Sequence, residues 1–288
     1  MTTERQSCRA CGSDRSKRLF AVNAHRVRRC LDCSHVYLDV VHTDESIRRM
    51  YATYEKGTEV YFEGVGREAV SNFDDYLKRC HECLRSGSPE PRLLDVGCGA
   101  GAFLGRARKQ GFHCEGVETC EALAQEARRT LGCPVHNGLL GQLDFPRDCF
   151  DVVTMYDLIE HLRDPIADLG NVVRWLRPGG VLFVLTPNDG ALVRRLARTA
   201  FRGSLGRVGR PMQALYYGHH LSYFTARSLK QFAERLELEV VHMETRNQEI
   251  SRLILSKAER VAIGLLFAVS SAAPSMGGKL LLWARKPA

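Results

Sequence analysis

The stretch Leu93-Leu94-Asp95-Val96-Gly97-Cys98-Gly99-Ala100-Gly101 limits what this chain can fold into more than any other. A short apolar run ends in an acid and breaks into glycines two residues apart, and helix-forming residues follow over 102–110. The pattern predicts a buried strand, a tight turn and the start of a helix. Glycine suits such a turn because a ligand lying against bare backbone leaves no room for a Cβ. The first amides of the helix suit a carboxylate or another polar group. Gly97, Gly99 and Ala102 also match the G-x-G-x-x-G/A dinucleotide pattern, and Glu118 stands about where an acid would take ribose hydroxyls. The turn implies a nucleoside cofactor and leaves open which one.

At 288 residues the chain has room for one large domain and a small appendage. Around the turn, apolar runs predict strands over 113–118, 134–136, 150–157, 181–188, 238–245 and 279–285. Helices are predicted between them over 120–131 and up to 176, and Leu176-Arg177-Pro178-Gly179-Gly180 reads as a turn. A leading helix over 67–86 carries Val70, Phe73, Leu77, Cys80 and Leu84 on one face. This is an α/β pattern.

Near the N-terminus, Cys8-x-x-Cys11 is followed after 18 residues by Cys30-x-x-Cys33. Two such pairs on tight turns suit one tetrahedral zinc, and four thiolates leave no open position, so the metal is read as structural. Residues 18–22 and 26–29 are strand-like, as in a zinc ribbon, and a segment this short and polar has little core without metal. His25 and His35 read as ordinary surface histidines. Residues 36–41 read as another strand, Asp44 is expected to cap a following helix, and the aromatic, glycine-rich stretch 54–66 reads as a flexible connection able to fold over the cofactor. A third C-x-x-C, Cys80 and Cys83, falls within the leading helix; packing of Cys80 in the apolar face is preferred over a second metal or a redox pair. Eleven cysteines without a secretory signal in residues 1–18 imply a reducing, cytoplasmic setting. The longest apolar run, 261–269, is short of the roughly 20 residues that span a bilayer.

The choice of cofactor comes from the second half of the sheet. Phe150-Asp151-Val152-Val153 leads through Tyr156-Asp157-Leu158-Ile159-Glu160-His161-Leu162 to Asp164-Pro165, and Leu176-Arg177-Pro178-Gly179-Gly180 leads through Val181-Leu182-Phe183-Val184-Leu185 to Thr186-Pro187-Asn188. Together with the glycine turn and Glu118, this ordered set resembles the class I S-adenosylmethionine-dependent methyltransferases over roughly residues 74–288. It is most similar to a bacterial group in which a C-x-x-C-G…C-x-x-C zinc ribbon precedes the domain and H-L-x-Y-F-T-x-x-S-L closes its catalytic half. Here that closing motif is His220-Leu221-Ser222-Tyr223-Phe224-Thr225-Ala226-Arg227-Ser228-Leu229. The resemblance implies a Rossmann-like, mostly parallel seven-stranded sheet whose last two strands are antiparallel. It divides the chain into a ribbon at 1–42, a linker and lid helix at 43–70, and a methyltransferase domain at 71–288 with substrate-side insertions at 190–225 and 247–277.

Position by position, the resemblance implies that Asp95, Gly97, Cys98, Gly99 and Gly101 line the methionine part of S-adenosylmethionine and that Glu118 holds its ribose. Tyr156 and Asp157 would face the methyl group. Many relatives place an acid after the third strand to read adenine; Leu139 and Leu140 stand there in this chain, which implies recognition by backbone over 137–140.

The acceptor side is less determined. Arg194, Arg195, Arg198, Arg202, Arg207 and Arg210 crowd one segment with few acids, which suits a phosphate or carboxylate, or is simply a solvated basic helix. A hydroxyl acceptor needs a base near neutral pH, and His220, then His161, are the candidates. Asp157, Glu160 and His161 also match a metal-binding arrangement of the quinone O-methyltransferases that this family resembles. The apolar stretch 250–273 reads as core, as an amphipathic helix over the acceptor pocket, or as a peripheral membrane contact. The preferred acceptor is a saccharide, lipid-linked or other small-molecule hydroxyl. RNA methylation, a non-catalytic cofactor sensor and a nicotinamide dehydrogenase are the alternatives. The net charge of +8 favours an acidic partner without choosing among nucleic acid, anionic membrane and small molecule. Aromatics are not interleaved with basic residues as a nucleic-acid stacking platform would require. The oligomeric state is left open.

Overall fold

In a computed structural model, the structure describes residues 6–23, 25–40, 67–85, 87–216, 218–247 and 275–288. The expected helix after Asp44, the connection over 54–66 and the apolar insertion over 250–273 lie outside the described residues.

Ten segments build an α/β sheet and its crossovers. β4 (Arg92–Val96) leads through the glycine turn to α2 (Ala102–Lys109), β5 (His113–Glu118), α3 (Glu121–Leu131) and β6 (Val135–Asn137). β7 (Phe150–Tyr156), α4 (Pro165–Trp175) and β8 (Leu176–Pro187) follow, and β10 (Glu239–Arg246) and β11 (Lys279–Arg285) close the sheet. The strand order is β10-β11-β8-β7-β4-β5-β6. β6, β5, β4, β7 and β8 are parallel, and β11 joins β8 and β10 antiparallel.

Helices cover both faces, so the central strands are apolar on successive residues instead of alternating. Leu93, Val152 and Phe183 face α1 (Arg67–Cys83) and α2 with Phe73, Leu77 and Leu104. Leu94, Val153 and Val184 face the opposite way, towards Trp175 and Phe232. Cys80 and Cys83 are both buried, in the first of these cores.

β8 begins five residues earlier than the expected strand, because Arg177-Pro178-Gly179-Gly180 joins the ladder instead of turning away. Partners come from the chain end: Gly179 N–H donates to Lys286 O at 2.9 Å, and Lys286 N–H donates to Gly180 O at 2.9 Å. A Cβ on Gly180 would meet Arg177 O at 2.9 Å and Asp151 O at 3.0 Å, so only glycine passes there.

The N-terminal segment forms a second sheet from β1 (Ser16–Val22), β2 (His25–Cys30) and β3 (Val36–Leu38). Its fourth strand, β9 (Ser222–Tyr223), comes from the other end of the chain and pairs with β3 through Val36–Tyr223 and Tyr37–Ser222. The buried Arg9 guanidinium donates to Arg163 O and, at 2.7 Å, to Val40 O. The cysteine module is thus continuous with the core of the large domain. This corrects the expectation for His35: it is fully buried between Tyr37 and Phe224, because strand pairing with β9 brings the large domain over it.

Candidate active site

Parallel strands leave their carboxyl ends facing a crevice where neighbouring connections diverge, here between β4 and β7. Gly97, Gly99 and Gly101 all have positive φ (78°, 55° and 88°), a backbone region that side chains rarely enter. The turn is tied down by Gly97 and Cys98, whose N–H groups both donate to Val117 O. Glu118 at the end of β5 is buried and accepts from Gly99 N–H at 2.8 Å through one carboxylate oxygen and from Cys120 N–H at 2.8 Å through the other. Each oxygen keeps a lone pair for a further donor. Asp95 is buried one turn away and accepts from Thr154 Oγ1 at 2.7 Å. Burial pushes its carboxyl up to about 7, with the charge of Glu118 adding to the effect.

Beside this turn lies a cleft of about 300 Å³ lined by Val96, Gly97, Val117, Leu158, His161 and Asp168, among others. Gly138, Leu139, Leu140 and Gly141 form one wall, so the segment after β6 offers backbone and apolar surface where an acid was noted to be missing. Asp164 and Asp168 both line that cleft, and burial, with the charge of Asp164 adding to it, raises Asp168 to about 6. Sequence reasoning overlooked it, because it sits in the first turn of α4, fifty residues from Glu118 in the chain.

Tyr156 ends β7 and packs edge-on against Phe73 of α1, with ring centroids 5.4 Å apart. Asp157 follows with φ 51°, an uncommon left-handed conformation for a non-glycine residue. It is held by Lys279 Nζ, 2.5 Å from its carboxylate, and by its own N–H donating to Leu185 O at 2.9 Å. The lysine leaves Asp157 charge-paired, while the Asp157 charge still acts on Glu160 and His161.

The structure brings His220 to Glu160 and His161. Their ligand atoms lie within 4.8 Å of one another, His220 Nε2 is 3.9 Å from Glu160 Oε1, and the two imidazole rings meet at right angles 4.7 Å apart. Glu160 is buried, accepts from Thr186 Oγ1 at 2.8 Å through Oε2, and has no hydrogen-bond partner on Oε1 among the described residues. Burial, then the charge of Asp157, lifts its carboxyl to about 8. Burial lowers His161 to about 4 and puts His220 well below its ordinary value, so both are neutral imidazoles near pH 7. His161 Nδ1 lies 2.8 Å from His219 O, which assigns the proton to Nδ1 and leaves Nε2 as an acceptor. By the same burial Glu160 keeps its proton on most molecules near pH 7 and becomes a proton acceptor as it ionises towards pH 8. Sequence spacing placed Glu160 beside His161 but carried no signal of its burial.

Cys8, Cys11, Cys30 and Cys33 converge so that their sulfurs lie within 4.8 Å of one another, with Cys8 and Cys33 at 3.5 Å and Cys11 and Cys30 at 3.6 Å. Four thiolates about 2.3 Å from one zinc would stand roughly 3.8 Å apart, so the set fits a tetrahedral ion. The Cys8–Cys33 hydrogen bond lowers Cys33 and raises Cys8, as expected where one thiolate is shared among close thiols.

In the arginine-rich segment after β8, two of the six arginines are internal. Arg194 is buried, donates to Leu215 O and lies over the rings of Tyr216 and Tyr223. Arg198 pairs with buried Asp189 at 2.9 Å, and Tyr216 donates to the same carboxylate at 2.6 Å.

A methyltransferase-domain family model matches residues 67–243, more than half of the chain. The chain belongs to the methyltransferase-domain family. It carries a class I S-adenosylmethionine-dependent methyltransferase domain, and the seven-stranded sheet is that domain's fold. The ubiquinone biosynthesis O-methyltransferase of Hahella chejuensis is 32% identical over 110 residues, covering 36% of this chain and 46% of that protein. The chain spans about half the length of the curated relatives it matches. Among solved structures, a SAM-dependent methyltransferase from Archaeoglobus fulgidus has a TM-score of 0.54 at 18% identity, covering 79% of this chain and 99% of that one. The phosphoethanolamine N-methyltransferase 2 of Haemonchus contortus, in complex with S-adenosyl-L-methionine, has a TM-score of 0.51 at 17% identity, covering 74% of this chain and 53% of that one. At these identities the likeness is one of fold, which does not select an acceptor.

Proposed function

We propose that this protein methylates a hydroxyl group of a saccharide or lipid-linked small molecule. The observation that carries the reading is the buried Glu160, His161 and His220 cluster beside the cofactor cleft. A hydroxyl is a poor nucleophile until its proton has somewhere to go, and a buried carboxylate with a free oxygen is suited to take it. S-adenosylmethionine, when bound, supplies an electrophilic methyl and its own leaving group.

The residues available to hold the cofactor are those of the glycine turn. Gly97, Cys98, Gly99 and Gly101 offer backbone, and a Cβ on Gly97 would come within 3.2 Å of Leu158. Glu118 takes the ribose hydroxyls on its spare lone pairs, and Asp95 offers negative charge towards the cationic methionine end. Tyr156 and Asp157 would stand near the methyl group of the bound cofactor. With S-adenosylmethionine bound, the acceptor oxygen would take the methyl carbon as the sulfur–methyl bond broke. The hydroxyl proton passes to Glu160 directly or through the neutral His220, and neutral thioether is left. The protein contributes alignment and exclusion of water, with Glu160 as the base.

A second reading rests on the same cluster: one carboxylate and two imidazoles are a donor set for a divalent ion, which would polarise a catecholic acceptor. We further propose that the four cysteines hold one structural zinc as a ribbon at 1–42. The base assignment is tested with Glu160→Gln. It should bind S-adenosylmethionine as the parent does while transfer to a hydroxyl acceptor falls by about 10²–10⁴. Undiminished transfer would remove Glu160 from the reaction, and restoration by added Mg²⁺ or Mn²⁺ would favour the metal reading.

A further inference from the structure

Residues 190–233 contain eight arginines and lysines and no acid, although the whole chain carries a net charge of only +8. The segment opens with α5 (Leu192–Gly203), continues through a turn and α6 (Arg210–Leu215), and leads to the His219-His220 pair. Arg194 and Arg198 turn inward onto Tyr216 and Asp189. Arg195, Arg202, Arg207 and Arg210 are all exposed, and none has an ion-pair partner among the described residues. Helical spacing puts Arg195 and Arg202 on one outward face.

Between these charges stand apolar side chains that the fold leaves in water. Leu196 and Val208 are each 45% exposed and Leu205 is 87% exposed, so three of the five large exposed hydrophobics among the described residues fall in this one segment. Leu205 sits at the tip of the α5–α6 turn with φ 53°, a conformation that disfavours leucine and that glycine would adopt freely. The turn is nevertheless well tied: Ser204 N–H donates to Ala200 O, Leu205 N–H to Arg202 O and Gly206 N–H to Phe201 O. A fold that keeps a leucine strained at a rigid tip, ringed by unpaired arginines, presents it to something apolar with negative charge around it.

We propose that α5, the following turn and α6 dock the protein on an anionic lipid bilayer. Leu196, Leu205 and Val208 would enter the interface, and Arg195, Arg202, Arg207 and Arg210 would meet the headgroup phosphates. A nucleic-acid surface would offer exposed aromatic rings for stacking. Here Phe201 packs edge-on towards Phe20 and Tyr216 is buried. The inference rests on the proposed reading only for the acceptor: the docked face lies next in the chain to His220, where an amphiphilic hydroxyl acceptor would reach the site from the bilayer.

Vesicle binding tests this without any methyl acceptor, so its failure is separate from failure of the proposed reaction. Full-length protein is floated with phosphatidylcholine vesicles containing about a third phosphatidylglycerol, and with pure phosphatidylcholine vesicles, at two salt concentrations. Binding should require the anionic lipid and weaken with salt. Each arginine removed should weaken partitioning about five-fold, so Arg202→Gln with Arg207→Gln should lose about 25-fold. Leu205→Asp should also lose binding; aspartate tolerates the left-handed conformation better than leucine, so the variant should keep its melting temperature and cofactor affinity. Equal binding to both vesicle types, or no effect of these substitutions, would overturn the proposal. So would absent vesicle binding together with arginine-dependent binding of single-stranded RNA.

Discussion

Asp95 offers the sharpest handle on the cofactor site. Burial raises its carboxyl to about 7, some three units above the ordinary value of 3.8. Folded protein therefore holds a proton on Asp95 between about pH 4 and 7 that the unfolded chain has released. Stability contributed by this group falls as pH rises through that window, by about 4 kcal/mol in all. Asp95→Asn should remove this dependence and melt higher than the parent at pH 8. Cofactor binding has the opposite sign. If the cationic cofactor binds only the ionised carboxylate, the competent fraction rises from about 3% at pH 5.5 to about 50% at pH 7, and affinity improves about 15-fold. The α-amino group of the cofactor stays protonated over this range. His161, lowered to about 4, does not titrate there, and Asp168→Asn as background removes the cleft carboxyl that burial raises to about 6. Calorimetry in buffers of different ionisation enthalpy should count about 0.9 proton released per S-adenosylmethionine bound at pH 6. A flat affinity with no proton release, or an Asp95→Asn variant that keeps the slope, would refute the assignment.

The proposed zinc site bears on more than a tail. Cys8, Cys30 and Cys33 share one buried core with Leu94 and Phe224, so Cys33→Ala should lose the metal by elemental analysis and lower the melting temperature by 10 °C or more. The rate of methyl transfer at saturating cofactor should rise with pH towards an apparent pKa near 8 as Glu160 ionises; a flat pH–rate profile would point to another base. A Cβ on Gly116 would meet Cys98 Sγ at 2.7 Å and Leu104 Cδ1 at 2.9 Å, both packed. Gly116→Val should therefore cost about 1–3 kcal/mol, read as a melting-point drop of a few degrees.

Much of this arrangement is legible in the residues because its causes are local. The glycine turn needs positive φ at three positions, and Gly97, Gly99 and Gly101 announce it. The central strands are buried on both faces and so appear as unbroken apolar runs such as Val181 to Leu185. The two cysteine pairs imply a metal by spacing alone. What sequence does not carry is long-range. β9 is two residues long, with no period of its own, and is a strand only because β3 lies beside it; the burial of His35 follows from that pairing. The Asp157–Lys279 pair joins residues 122 apart, and no local pattern marks it. Arg194 and Arg198 read as surface charges until Asp189 and Tyr216 turn them inward. Glu160 keeps its proton towards pH 8 through desolvation, which no motif spells out.

The central claim, methyl transfer to a saccharide or lipid-linked hydroxyl, is tested most directly with purified full-length protein and methyl-labelled S-adenosylmethionine. The label is offered to separated lipids, soluble glycans and nucleotides, and total RNA. The account predicts label in the lipid or glycan fraction, stable as an ether and lost with Glu160→Gln. Label in nuclease-sensitive material, or in no fraction despite cofactor binding, would contradict it.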